Sequence, residues 1–367
     1  MTEAKYQIPL IEPYLGKQSR TYVNECFDTK WISSRGHFIG DFEKAFASFV
    51  GTKYAVAVSN GTTALHLALI GFGIGEGDEV IVPDLTFAAT INSVLHAKAK
   101  PVLVDIDPVT WNIDPKAFQQ AITSKTKAVI PVHLYGYPAA MDEIKEITSK
   151  HSICIVEDSA EAHGAKYNNV KAGALGDCSA FSFYGNKIIT TGEGGMITLN
   201  DEKIYNRITV LRDHGMNKKD RYKYDEVGYN YRMTNPQGAL GVAQLLEIEE
   251  ILSYRKKIQQ WYEERLNSVR GVVLRRDHPG VESVNWLFTC LVDRRDDVIK
   301  KLEEAKIESR PMFFPLHEMP IYKNYLHGTY HNSQKISYRG ISLPTYYGMP
   351  ESFVDRVCTV IKQSVES

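Results

Sequence analysis

The sequence predicts an α/β protein: a large domain with a mainly parallel sheet covered on both faces, then a small C-terminal α+β domain. Three observations lead there. Short apolar runs alternate with amphipathic segments from Ala55 onward. Several of those runs, such as VIVP at 80–83 and ICIVED at 153–158, are apolar throughout, as strands buried on both faces are. The pattern then changes near Gly271, where a long helical stretch ends. Alternation of buried strands with helices is the mark of parallel βαβ units.

In chain order, residues 1–50 read as irregular apart from a helix around Gln18–Thr29. AVAVS (55–59) is a strand and TTALHLALIGFG a helix; VIVP is a strand and TFAATINSVLHA a helix. PVLVDI (101–106), AVIPVHL (128–134) and ICIVED are further strands, with helices near Pro115–Ile122 and Met141–Ser149 between them. SAFSF (179–183) and MITL (196–199) continue the sheet, and one long helix is predicted over roughly Gln237–Val269. A domain boundary is placed at Gly271, giving domains 1–270 and 271–367. Beyond it, WLFTCLV (286–292) is a strand, DDVIKKLEEAK a helix, and Glu351–Val365 a last helix.

Composition excludes several classes. Of 367 residues, 43% are apolar and 24% charged, ordinary values for a globular protein rather than a disordered or fibrous one. Lysine plus arginine number 43 against 44 acids, so nothing in the charge balance favours nucleic acid or a membrane surface. No apolar run approaches the ~20 residues of a membrane helix, and no basic start followed by an apolar core marks a signal peptide. Five widely spaced cysteines without a C-x-x-C pair read as reduced thiols of a cytoplasmic protein, not as a disulfide frame or zinc site.

Three segments carry chemistry. Ser59-Asn60-Gly61-Thr62-Thr63 follows a strand and opens a helix, where free amides and the helix dipole attract phosphate. Asn60 or Thr62 reads alternatively as a plain helix cap. Glu157-Asp158 ends an apolar strand, at the sheet end where open α/β folds bind ligands. Asp158 either meets a cation there, such as a protonated ring nitrogen, or caps the next helix. Lys187 follows FSFYGN and precedes a glycine-rich turn. A desolvated lysine is a nucleophile for carbonyls; a loop lysine in solvent is the plainer reading. Together the three segments offer a phosphate cradle, an acid for a ring nitrogen and an amine for an aldehyde. Those are the anchors that pyridoxal 5'-phosphate needs. No metal site is expected, since the histidines are scattered and no H-E-x-x-H is present.

VSNGTTALHLAL, VEDSAEAHGA, FSFYGNKIITTGEGGMI and GYNYRMTNPQGALG, in that order, resemble the sugar aminotransferases of the DegT/DnrJ/EryC1/StrS family. The resemblance runs from about Ile8 to the C-terminal helix. It implies the fold of fold-type I, pyridoxal-phosphate-dependent enzymes and a cytoplasmic homodimer with shared active sites. Residue by residue, it implies that Lys187 carries the cofactor and Asp158 faces the pyridine nitrogen. Gly61, Thr62 and Ser182 match phosphate ligands, and Phe87 matches the aromatic residue that stacks on the ring. Glu161 stands where many relatives carry glutamine. Asn230 matches an asparagine that reaches the phosphate of the neighbouring subunit. For Phe87 core packing, and for Asn230 a turn, are the plainer alternatives.

WISSRG, YGNKIITTGEGGM and RPMFFPLHEMPIY resemble, within the family, the perosamine-forming branch. That branch implies transfer of an amino group from L-glutamate to carbon 4 of GDP-4-keto-6-deoxy-D-mannose, for surface-polysaccharide (O-antigen) precursors. Arg310, His317 and Tyr322 then fall near the sugar nucleotide, with Trp31 and Ser33 as further candidates. Arg310 as a surface ion pair and His317 as a loop histidine are equal alternatives. A related branch carries histidine in place of the lysine and removes a 3-hydroxyl; Lys187 favours transamination, and His163 and His214 read as structural. A dTDP- or UDP-linked sugar, amination at carbon 3, or a non-catalytic binding protein of the same fold remain alternatives.

Overall fold

In the computed structural model, residues 5–276, 278–326 and 328–366 are described. The helices and strands of the first half are α1 (Ser19–Asp28), α2 (His37–Val50), β1 (Tyr54–Val58), α3 (Gly61–Gly71), β2 (Glu79–Pro83), α4 (Ala88–His96), β3 (Lys100–Val104), α5 (Pro115–Gln120), β4 (Thr126–Val129), α6 (Met141–His151) and β5 (Cys154–Asp158). There follow β6 (Lys166–Tyr167), β7 (Val170–Lys171), β8 (Cys178–Ser182), β9 (Gly195–Leu199), α7 (Glu202–Leu211), α8 (Asn235–Leu245) and α9 (Ile248–Leu266). The C-terminal part contains β10 (Val272–Leu274), β11 (Val281–Glu282), β12 (Phe288–Val292), α10 (Arg295–Glu304), β13 (Arg310–Pro311), α11 (His331–Arg339), β14 (Gly340–Leu343) and α12 (Glu351–Glu366).

The main sheet has seven strands in the order β1-β9-β8-β5-β4-β2-β3. Only β9 runs against its neighbours, β1 and β8; the other pairs are parallel. Both faces are covered because successive side chains point to opposite sides. Val56, Val58, Val80 and Val82 pack with α3 and α4 through Leu65, Leu67, Ile91 and Val94. Ala55, Ala57, Phe181 and Met196 turn the other way, onto Phe42 and Phe46 of α2. Ile81, Val102 and Ile155 share that second face with Phe118 of α5 and Met141 and Ile144 of α6.

A separate antiparallel sheet, β10-β12-β14-β13, lies wholly beyond residue 271. Its core unites Phe288, Cys290 and Val292 with Val298, Leu302, Val354, Val357 and Ile361, and also with Ile258 and Tyr262 of α9. Strand pairing also crosses the sequence position 270. Ile8 forms a parallel bridge with Ile307, and β11 pairs with β6.

Two expectations need correction. The stretch read as irregular contains α2, whose Phe38, Phe42, Phe46 and Val50 recur every four residues and are all buried. The long helix over 237–269 is two helices. α8 ends at Leu245 and α9 starts at Ile248; between them Leu246 is exposed and Glu247 accepts hydrogen bonds from Tyr14 Oη and the Lys17 amide. Gln244, in the last turn of α8, is buried and bound to the backbone of Thr190.

The segment joining α1 to α2 is fixed by one side chain. Asn235 Nδ2 donates to the Trp31 carbonyl at 2.9 Å and to Cys26 Sγ at 3.2 Å, while its Oδ1 accepts from the Phe38 amide at 3.1 Å. A Cβ at Gly36, which has φ +143°, would come within 2.4 Å of the Asn235 amide atoms.

Phe46 is fully buried and meets Phe42, Phe181 and Phe183 at ring-centroid distances of 5.8, 4.9 and 5.3 Å. Phe46→Ala is expected to cost about 3–5 kcal/mol of stability, because the aromatic cluster cannot collapse onto the cavity. Urea denaturation checks this; a loss under ~1 kcal/mol shows that α2 is not needed to cover the sheet.

Candidate active site

Strand ends and helix starts of the main sheet surround one cavity of about 610 Å3. Its phosphate-binding corner is the start of α3. Asn60 caps the helix: its Oδ1 accepts from the Thr63 amide at 2.9 Å, and Thr63 Oγ1 accepts from the Asn60 amide at 3.2 Å. That box leaves Gly61 and Thr62 as the first two helical residues, whose amides have no carbonyl one turn earlier. Both line the cavity, facing Ser182 at the end of β8. Gly61 is required here, since a Cβ would lie 2.9 Å from Ser182 Cβ. Gly195 is constrained likewise, with a Cβ 2.4 Å from the Asn60 carbonyl oxygen.

The paired acids at the end of β5 separate onto opposite faces, as strand geometry demands. Glu157 is fully buried away from the cavity. It accepts from the amides of Gly173, Leu175 and Gly176 and pairs with His133 Nε2 at 2.8 Å. Asp158 lines the cavity. Its Oδ2 accepts from Thr90 Oγ1 at 2.8 Å and its Oδ1 from the Ala160 amide at 3.2 Å. Burial pushes the Asp158 carboxyl up; Thr90 and the nearby Lys187 charge pull the other way. A buried carboxyl of this kind favours a cationic partner.

Lys187 is not a solvated loop lysine: its side chain is 11% exposed. Its Nζ lies 3.4 Å from Glu161 Oε1 and 3.8 Å from the centroid of the Trp286 ring. Glu161 Oε2 accepts from the Tyr135 amide at 2.7 Å. Tyr135 has a left-handed φ of 56°, a conformation that its non-glycine backbone keeps only under such constraint. Burial pushes Glu161 up as well, and Lys187 opposes that.

Phe87 is 59% exposed and lines the cavity rather than the core; its ring is 5.7 Å from that of Phe313. Arg310 also lines the cavity, and pairs with Glu308 at 2.9 Å. Five sequence candidates lie outside this lining. Tyr322 is 1% exposed in the core above the sheet, donating to Asn92 Oδ1 at 2.8 Å. His317 is held outside the lining by buried Asp84, through Nδ1 at 2.7 Å and its amide at 2.8 Å. Asn230 is exposed and bridges Asp213. Trp31 and Ser33 are absent from the lining, tied through their carbonyls to Asn235.

Sequence reading missed Thr90, Trp286, Phe313 and Tyr184. Thr86, just before α4, and Thr90, in its first turn, stand four apart with hydroxyls 2.9 Å apart, a spacing that would have pointed to Thr90. No local signal marks Trp286, which sits just before β12 yet reaches Lys187. All five cysteines are free, four of them buried, and no cluster of metal-ligating side chains occurs among the described residues. No helix of the described residues is long and apolar enough to cross a membrane.

A model of the DegT/DnrJ/EryC1/StrS aminotransferase family matches residues 13–362. The chain belongs to this aminotransferase family. Its relatives include the GDP-perosamine synthase of Caulobacter vibrioides, 48% identical over 364 residues that cover 97% of this chain and 98% of the relative. The GDP-perosamine synthase of Escherichia coli O157:H7 is 40% identical over 359 residues, covering 97% and 98%. Among solved structures, DesV of S. venezuelae in complex with a ketimine intermediate superposes with a TM-score of 0.91 at 32% identity, covering 95% of each chain. A GDP-4-keto-6-deoxymannose-3-dehydratase with bound GDP-perosamine also gives 0.91, at 26% identity, covering 97% and 100%. The fold is therefore that of this aminotransferase family.

His163, in the same DSAEAHG motif, packs against Phe46, Phe181 and Phe183. Burial, helped by the Lys187 charge, lowers its pKa to about 3. In the unfolded chain the same group titrates at ~6.5. Below that value the unfolded state binds a proton the folded state refuses, so stability falls as pH falls from ~6.5 toward 3, by about 1.4 kcal/mol per unit. Asp158 and Glu161, pushed up by burial, contribute in the opposite sense. His163→Leu is expected to remove the histidine contribution, flattening the decline in unfolding free energy between pH 6.5 and 5 by about 2 kcal/mol relative to the native chain. Parallel melting curves for the two proteins over that range would disprove it.

Proposed function

We propose that this protein transfers the amino group of L-glutamate to carbon 4 of GDP-4-keto-6-deoxy-D-mannose, giving GDP-perosamine, with pyridoxal 5'-phosphate as cofactor. The observation that carries the chemistry is the meeting of Lys187, Asp158 and the Gly61–Ser182 corner on one cavity. The whole-length similarity to GDP-perosamine synthases supports the choice of substrate.

The lining fits the cofactor on its own chemistry. It offers helix-start amides closed off by Ser182 where a Cβ will not fit, a buried carboxyl pushed up by desolvation, and a lysine whose side chain is 11% exposed. When bound, pyridoxal phosphate supplies an aldehyde to carry the amino group and a protonated ring to withdraw electrons from the bond being broken. Gly61, Thr62 and Ser182 would hold its phosphate at the dipole end of α3. Asp158 would keep the proton on the ring nitrogen, its carboxyl oriented by Thr90. Phe87 would flank the ring. The Lys187 amine would remove a proton from the donor α-carbon and return it one position away, work typically worth ~10²–10⁴-fold. Glu161 would lie beside the Lys187 amine, 3.4 Å away. Arg310, at the cavity edge, would meet the diphosphate of the sugar nucleotide. Exposed Asn230 would serve the phosphate of a neighbouring subunit in a cytoplasmic homodimer.

The test is product identification after incubating the protein with pyridoxal phosphate, L-glutamate and GDP-4-keto-6-deoxy-D-mannose. A GDP-sugar with nitrogen at carbon 4 and an equal amount of 2-oxoglutarate are expected. Turnover of only the dTDP- or UDP-linked 4-keto-6-deoxyglucose overturns the choice of nucleotide. Nitrogen at carbon 3 overturns the position. No product from any of them leaves a binding protein of the same fold.

A further inference from the structure

Trp286 is held in the cavity wall by two contacts of its indole and two of its backbone. Its Nε1 donates to the Asn186 carbonyl at 2.6 Å and its amide donates to the Tyr135 carbonyl at 3.0 Å. Its own carbonyl accepts from Arg255 Nη1 at 2.9 Å. Its ring stacks on Tyr135, with centroids 6.0 Å apart and planes at 9°. The residue is 5% exposed. What this fixed ring faces is the Lys187 ammonium, 3.8 Å from its centroid. The bond to Asn186, the residue before Lys187, ties the ring to the lysine's own turn.

An ammonium over a desolvated indole face is attracted by the ring quadrupole, most strongly for tryptophan among the aromatic side chains. Glu161 alone is a weak anchor: its contact is 3.4 Å long, and its other oxygen is committed to the Tyr135 amide. We propose that Trp286 is a positioning residue, the resting face on which the Lys187 ammonium waits whenever its nitrogen is not bonded to the cofactor. This rests on the function proposed above. The ring then stabilises the detached lysine. It holds back capture of the cofactor aldehyde and aids the lysine's departure when a donor amine takes its place.

Capture balances as follows. The ammonium gives one proton to solvent and its nitrogen adds to the aldehyde carbon. The carbonyl oxygen leaves as water with the two remaining amine hydrogens, and a carbon–nitrogen double bond remains. The cation is thereby lost from the ring face, so weakening the face must favour capture.

Fluorinated tryptophans weaken the quadrupole while keeping the indole shape and its N–H. Mono-, di- and trifluorotryptophan would replace all four tryptophans in the native chain, and the remaining three in W286F as a control for the other positions. The readout is binding to cofactor-free protein of two ligands: pyridoxal phosphate, followed by absorbance, and pyridoxamine phosphate, which forms no bond to lysine. The expected result is that affinity for the aldehyde form rises stepwise with fluorination, by roughly threefold over the series. Affinity for the amine form stays level, and the W286F background shows no trend. A flat series, or both ligands changing together, overturns the proposal. If the unmodified protein binds neither form, the function proposed above fails and takes this inference with it.

Discussion

Lys187→Ala protein is expected to emerge from purification without a covalently held cofactor and without the visible absorbance such a bond gives. Added pyridoxal phosphate should wash out on dialysis. Turnover should fall by at least about 10²–10⁴-fold, the usual worth of one positioned proton-transfer group, and by more if covalent holding of the cofactor counts separately. The side chain is the cationic group facing Glu161 and Trp286, so nothing in the described lining can take its place. The fold should survive, because the Glu161 carboxyl left without its cation is already pushed up by burial and keeps the Tyr135 amide as a donor. Absorbance after dialysis and steady-state turnover test this together. A variant that keeps both removes Lys187 from the chemistry.

Asp158→Asn is the sharper probe of electron withdrawal. Asparagine keeps the shape: its one oxygen can accept from the Ala160 amide and its Nδ2 can donate to the Thr90 hydroxyl in place of the second carboxylate oxygen, so position is conserved while the charge is lost. Lys187 should still capture the cofactor, yet turnover should fall by about 10²–10⁴-fold, because a neutral amide cannot keep a proton on the ring nitrogen. The discriminating result is normal capture with slow turnover. Full activity would reduce Asp158 to a cap for the turn that follows β5.

The sequence made the main sheet legible because its strands, buried on both faces, are apolar runs, as in VIVP and ICIVED. It made Lys187, Asp158 and Gly61 legible because each stands at a strand end or helix start, where backbone geometry alone points residues at a ligand. Helix α2 carries an equally regular four-residue spacing of Phe38, Phe42 and Phe46, although the chain there read as irregular. What sequence could not show were contacts between distant segments. Trp286 reaches Lys187 across 99 positions, and Tyr322 meets Asn92 across 230. Tyr322 and His317 read as pocket residues from their motif. Pairing with Asn92 and Asp84 places one in the core and the other outside the lining. Asn230 is exposed in this chain, and the role proposed for it would need a second copy.

The Asn235 amide has a mechanical consequence. Because one planar group grips the Trp31 carbonyl on one side and the Phe38 amide on the other, the turn between the first two helices has no independent hinge. It must travel with α8 as one body or tear loose entirely. Backbone amides of that turn should therefore exchange with solvent deuterium at a common rate, rather than in the graded manner of a fraying loop.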